Sequence, residues 1–141
     1  MRNPLLSDWT GAFGLAPFGE ISDADFAPAF ETALAEDLAE TLAIANNPQI
    51  PSFANTIEAL AATGKALHKV LSVFYTLSGA DSNAAREALM REFSPKLSAH
   101  SSQIYANKAL FGRIDRLWNS RTELDVSEEQ QRVLMLTHRN F

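Results

Sequence analysis

A phenylalanine or leucine recurs at every fourth position through Phe26, Phe30, Leu34, Leu38 and Leu42, with Glu31, Glu36, Asp37 and Glu40 set between them. That spacing is near the helical repeat and far from the two-residue alternation of a half-buried strand. It predicts an amphipathic helix carrying one apolar stripe. Ser22 followed by Asp25 reads as a capping box at its start, and Pro28 is tolerable in the first turn. Asn46, Asn47, Pro48 and Pro51 end it in a tight connection.

Helical spacing returns along the rest of the chain. Residues 53–62 predict a short helix, bent at Thr63-Gly64. Leu67, Val70, Leu71, Phe74 and Leu77 define the face of a second, which Ser78, Gly79, Asp81, Ser82 and Asn83 interrupt. A long helix follows with Leu89, Phe93, Leu97 and Ile104 on one side. Pro95 lies inside it, where the missing amide donor predicts a kink. Asn107 marks a break before Leu110, Phe111, Ile114, Leu117 and Trp118. After a loop over 119–126, Ser127 with Gln130 opens a last helix containing Val133, Leu134 and Phe141. That helix meets no glycine or proline stop, which suggests a chain cut within an element.

Residues 1–21 contrast with all of this. Pro4, Gly11, Gly14, Pro17 and Gly19 forbid a long helix, while Leu5, Leu6, Trp9, Phe13, Leu15, Phe18 and Ile21 would pin the segment to a surface. No strand-like alternation occurs anywhere. The expected class is therefore all-α, built from antiparallel helical hairpins packed as a bundle, with an extended segment over 1–21 and a helical domain over 22–141.

A hydrophobic share of 46% over 141 residues allows a real core. The absence of cysteine excludes disulfides and thiolate chemistry. The N-terminus lacks the continuous apolar stretch of a signal peptide, and no run approaches the ~18 apolar residues of a membrane span. The expected location is the cytoplasm, without a membrane partner. The net charge of −5 is unevenly distributed: residues 1–64 hold nine acids and one base, residues 65–141 eight acids and eleven bases. Two oppositely charged helical layers are the expected result. The bases are interleaved with acids, a poor track for phosphates, so nucleic acid is not expected as a partner.

Chemistry is sparse. A helical metal site needs a second ligand three or four residues away on the same face. His68, His100 and His138 have neither a carboxylate nor another histidine at those offsets. There is no G-x-S-x-G elbow. The adjacent acids Glu36-Asp37 and Glu128-Glu129 are expected on exposed helix faces, and Phe26, Phe30, Phe74 and Phe93 in the core. No catalytic, cofactor-binding or metal-binding residue is assigned. From the residues alone, the chain is a helical scaffold or interaction domain.

Several phrases exceed what helix formation requires. They include Asn3-Pro4-Leu5-Leu6, Ala16-Pro17-Phe18-Gly19-Glu20-Ile21, Asp25-Phe26-Ala27-Pro28-Ala29-Phe30-Glu31, and a stretch from Asn47 to Ile57 of the form Asn-Pro-x-x-Pro-x-Phe-x-Asn-Thr-Ile. Glu92-Phe93-Ser94-Pro95-Lys96-Leu97, Asn107-Lys108-Ala109-Leu110-Phe111 and Thr137-His138-Arg139-Asn140-Phe141 follow. In this order and spacing they resemble the N-terminal helical region of the M3 family of zinc metallopeptidases, nearer to its bacterial peptidyl-dipeptidases than to its oligopeptidases.

The resemblance implies a longer parent whose missing C-terminal catalytic domain holds zinc through an H-E-x-x-H motif and a downstream glutamate. The motif's two histidines, one helical turn apart, would bind the metal while the glutamate activates water. None of that motif occurs here, so the resemblance carries no catalytic or zinc-binding role onto these residues. It implies instead a non-catalytic part of the wall or lid of a channel that admits oligopeptides. The alternatives are the N-terminal domain of an oligopeptidase-type endopeptidase and a stand-alone helical interaction module. This fragment alone would be inactive.

Overall fold

The computed structural model describes residues 2–141. Its regular structure is helical, and no strand is present among the described residues. Three short 3-10 turns occupy Pro4–Leu6, Ala12–Gly14 and Phe18–Glu20, and a fourth, Asp23–Asp25, leads into α1 (Phe26–Ala45). A π-helical turn over Phe53–Glu58 runs into α2 (Ala59–Ala61). There follow α3 (Lys65–Ala80), α4 (Ala84–Tyr105), α5 (Lys108–Asn119) and α6 (Glu128–Asn140). The all-α expectation holds. Ser78 and Gly79, read as part of a break, are the last turns of α3, and the interruption is confined to residues 81–83. Pro95 lies within α4, which continues through it.

The ends of the helices are set by local side chains. The Asp25 carboxylate accepts from both the amide and the hydroxyl of Ser22, at 2.8 and 2.7 Å. Ser127 and Gln130 form a reciprocal capping box on α6, Asn107 caps α5 through the Leu110 amide, and Ser52 with Asn55 caps the π turn. Each satisfies amides that a helix start leaves unpaired. Gly64 takes a left-handed backbone (φ 70°) between α2 and α3, a conformation that suits glycine.

The chain forms two compact units. The first comprises residues 1–37 and 64–99, the second residues 38–63 and 100–141, so α1 and α4 each contribute to both. In the first unit, Phe26, Phe30, Phe74 and Phe93 are buried with Leu5, Ala29, Ala33, Leu67, Val70 and Val73. Phe30 stacks on Phe93 with ring centres 4.6 Å apart, and Phe74 meets Phe26 and Phe30 edge-on at 5.1 and 5.4 Å, geometries that favour aromatic pairs. In the second unit the core is Ile44, Ala45, Ile57, Leu110, Ile114, Leu117 and Leu134.

The stripe on α1 differs from the every-fourth-residue reading. Four residues turn a helix by about 400°, so such a row drifts by about 40° at each step. Phe26 and Phe30 are buried, whereas Leu42 is 38% exposed. The buried line passes instead through Phe26, Phe30, Ala33, Asp37, Thr41 and Ile44, where three-residue steps among the four-residue ones keep it on one face. Asp37 is thus only 8% exposed, which corrects its placement on a solvated face; Glu36, Glu128 and Glu129 are exposed as expected. Each unit draws on both halves of the sequence; in the first, residues 1–37 hold seven acids and one base and residues 64–99 three acids and five bases, and Arg86 pairs with Asp23 and Lys96 with Glu31 across that divide.

Candidate functional site

The three histidines lie on three different helices. His68 is exposed on α3, its Nε2 3.5 Å from the Ser72 hydroxyl one turn on, and His100 is half-buried on α4. His138, on α6, places Nε2 3.0 Å from Asp115 Oδ1 on α5, with its ring stacked on Trp118 at 5.1 Å and beside Phe111 at 5.7 Å. The offset test along one helix could not find this pair, because its members lie 23 residues apart on different elements. It orients the imidazole and ties α5 to α6. Among the described residues, no three His, Cys, Asp or Glu side chains converge to hold a metal ion. The zinc implied by the family resemblance therefore finds no ligand set on these residues.

The densest polar constellation belongs to the second unit and centres on Arg113, which is only 7% exposed. Its Nη1 donates to the backbone carbonyls of Asn47 (2.7 Å) and Gln49 (3.0 Å). Its Nη2 donates to Asn55 Oδ1 (2.9 Å) and Thr56 Oγ1 (3.2 Å). The planar guanidinium fork suits several acceptors at fixed angles. Asn47 Oδ1 accepts from the Gln49 amide, and Asn55 Nδ2 donates to the Ile50 carbonyl, so the connection is cross-tied internally as well. Every acceptor of Arg113 is neutral. The arrangement fixes a connection; it has no nucleophile–base pair.

In the first unit, charged contacts organise the helix starts. Asp23 accepts from Arg86 Nε at 2.7 Å and from Asn83 Nδ2 at 2.8 Å, while Asn83 Oδ1 caps α4 through the Arg86 amide. The Asn83 hydrogen bond, aided by the Arg86 guanidinium, holds the Asp23 carboxyl below its ordinary range against a partial cost of burial. The Ser22 hydroxyl and amide do the same for Asp25. Lys69 lies over the Trp9 ring at 4.2 Å and donates to the Ser7 carbonyl; burial pushes its ammonium below the usual lysine range. Lys96 bridges Glu31 and Glu92, and the Glu31 contact raises its pKa.

An open groove of about 1100 Å³ is lined by Arg2, Trp9, Leu15, Glu20, Asp25 and Pro28 among others, all from the first 28 residues. Within it, Asn3 donates to the Asp25 carbonyl at 2.7 Å, and the Trp9 indole to the Pro4 carbonyl at 3.0 Å. No helix among the described residues is long and apolar enough to cross a membrane.

Over 139 residues the chain is 36% identical to the dipeptidyl carboxypeptidase of Salmonella typhimurium and 36% identical to that of Escherichia coli. The chain is homologous to bacterial dipeptidyl carboxypeptidase. The match takes in 99% of this chain but 20% of each relative, so the chain spans about one fifth of the length of these enzymes. No family model matches the chain. The stretch from Asn47 to Ile57, the most distinctive of the resembling phrases, is the segment that Arg113 holds in place.

Proposed function

We propose that these residues form the non-catalytic, N-terminal helical region of a zinc-dependent peptidyl-dipeptidase of the M3 family. The observation that carries this reading is the 36% identity to dipeptidyl carboxypeptidase along 99% of the chain. The whole protein removes dipeptides from the C-terminal ends of oligopeptides with one zinc ion held by residues outside this segment. Residues 1–141 contribute to the wall or lid that governs entry of peptides.

The first test is the gene: its reading frame should continue past Phe141 into an H-E-x-x-H motif. The second is activity of the whole polypeptide, which should release C-terminal dipeptides and lose this activity on chelation. Release of internal fragments would favour an oligopeptidase, and a frame ending at Phe141 would favour a stand-alone interaction module. Substitutions at exposed positions in this segment should alter affinity for long peptides and leave turnover of a short one largely intact, since uniform binding and transition-state binding are separable.

A further inference from the structure

Phe13, Leu15 and Phe18 are 98%, 63% and 45% exposed, three large apolar side chains within six residues. The backbone that presents them is costly. Phe13 is the one described residue other than glycine with a positive φ (59°), a conformation that crowds any Cβ, and Gly14 follows at 64°. Turn hydrogen bonds from Gly14 to the Gly11 carbonyl (3.1 Å) and from Leu15 to the Ala12 carbonyl (3.4 Å) hold the loop, which gains no side-chain burial in return for Phe13.

The segment is not a loose tail. Upstream, Leu5 is fully buried, Asn3 is bonded to the Asp25 carbonyl, and Lys69 grips the Ser7 carbonyl and the Trp9 face. Downstream, the Ser22–Asp25 contacts fix the entry to α1. Between two anchored ends, the loop turns its apolar side chains to solvent, beside the groove that Leu15 helps to line. Backbone strain of this kind persists where something outside the loop compensates for it, and clustered exposed apolar groups mark surfaces that are covered in the working molecule.

We propose that Phe13, Leu15 and Phe18 form an intramolecular docking surface, covered by a later part of the same polypeptide. This rests on the reading above that the chain is part of a longer enzyme. The occupant follows from length: the relatives match this chain almost end to end, yet four-fifths of each lies outside the match. The surface, apolar and strained in this fifth, is met by that remainder.

The experiment compares the 141-residue chain with the whole polypeptide encoded by the gene, using hydroxyl-radical labelling read by mass spectrometry. Phe13 and Phe18 should label strongly in the short chain and lose most of that labelling in the whole polypeptide. The substitution Phe13→Asn provides a second readout, because asparagine tolerates a left-handed backbone and the exposed ring has no packing to lose. It should leave the melting temperature of the short chain unchanged or slightly raised, and lower that of the whole polypeptide. Equal labelling in both polypeptides overturns the docking surface while leaving the proposed function standing. Protection that grows with concentration of the short chain assigns the surface to a second copy, and protection only on adding an oligopeptide assigns it to substrate; either overturns the proposal. A reading frame that stops at Phe141 removes both the proposed function and the occupant.

Discussion

Residues 1–37 with 64–99 close their core with phenylalanine rings, whereas residues 38–63 with 100–141 close theirs with aliphatic side chains and a buried guanidinium. The first arrangement relies on apolar area and ring geometry, which tolerate small displacements. The second depends on directional hydrogen bonds to backbone carbonyls, so its connection is either matched to Arg113 or loses the bonds that hold it. Two units of similar size in one chain thus meet different physical requirements.

The sharpest way to separate them is Phe30→Ala. Phe30 is buried and pairs with the rings of Phe26, Phe74 and Phe93, so truncation should cost about 3–5 kcal/mol in denaturant unfolding. Hydrogen exchange should quicken in α1 and α3 first. A loss below 1 kcal/mol (roughly the scale of a surface change) would mean that the ring cluster contributes little to stability.

Next in size is Arg113→Met, which keeps the apolar stem but strands the carbonyls of Asn47 and Gln49. It should cost about 2–3 kcal/mol and speed amide exchange through residues 47–56. Arg113→Lys should recover less than half of this loss, since a single ammonium cannot reach all four acceptors. Full recovery by lysine would show that charge, not the fork, is what the connection needs.

These contrasts bear on what the sequence made legible. Ser22 with Asp25 and Ser127 with Gln130 were readable as helix starts because the groups they join are three residues apart, whereas Asn107 read only as a break, although it caps α5 through the Leu110 amide. The four core phenylalanines were readable from helical spacing alone. Asp37 was misplaced because a four-residue row was followed where the true period is shorter; a 3.6-residue line through Ala33 and Ile44 passes over it. Arg113 looked like one more scattered base. Its acceptors lie 57–66 residues upstream, a separation that no local pattern encodes. The one hint was the Asn47–Ile57 phrase, more specific than a turn between helices requires.

A smaller effect is expected at Gly64, in the first unit. A Cβ there would lie 2.9 Å from Asp37 Oδ1, and the left-handed backbone already disfavours one. Gly64→Ala should cost about 1–2 kcal/mol in thermal or urea unfolding. If Gly64→Ala were neutral, the Asp37 carboxylate would have to move freely, contrary to its burial.

The smallest effect separates the units by acid. The folded state holds Asp23 and Asp25 below their ordinary value of 3.8, so in the acid range the unfolded chain binds more protons than the folded one. Their contribution is therefore present above that value and is lost as pH falls through the depressed one. Melting temperature should decline between about pH 4 and pH 2, and Asp23→Asn should flatten that decline. An unchanged acid slope in the variant would place the sensitivity on other carboxylates.

The sequence contains two tryptophans, and they fall one to each unit: Trp9 beneath the Lys69 ammonium, and Trp118 between the His138 ring and the Arg121 guanidinium, the latter 4.2 Å from its centre. Each indole thus sits in a distinct polar setting within its own half of the fold. The molecule accordingly carries a native fluorophore for each core, and Trp9→Phe and Trp118→Phe variants isolate the emission of one or the other. Superimposable unfolding curves from the two variants would signify one cooperative melt, and displaced curves would give the order in which the aromatic and aliphatic cores come apart.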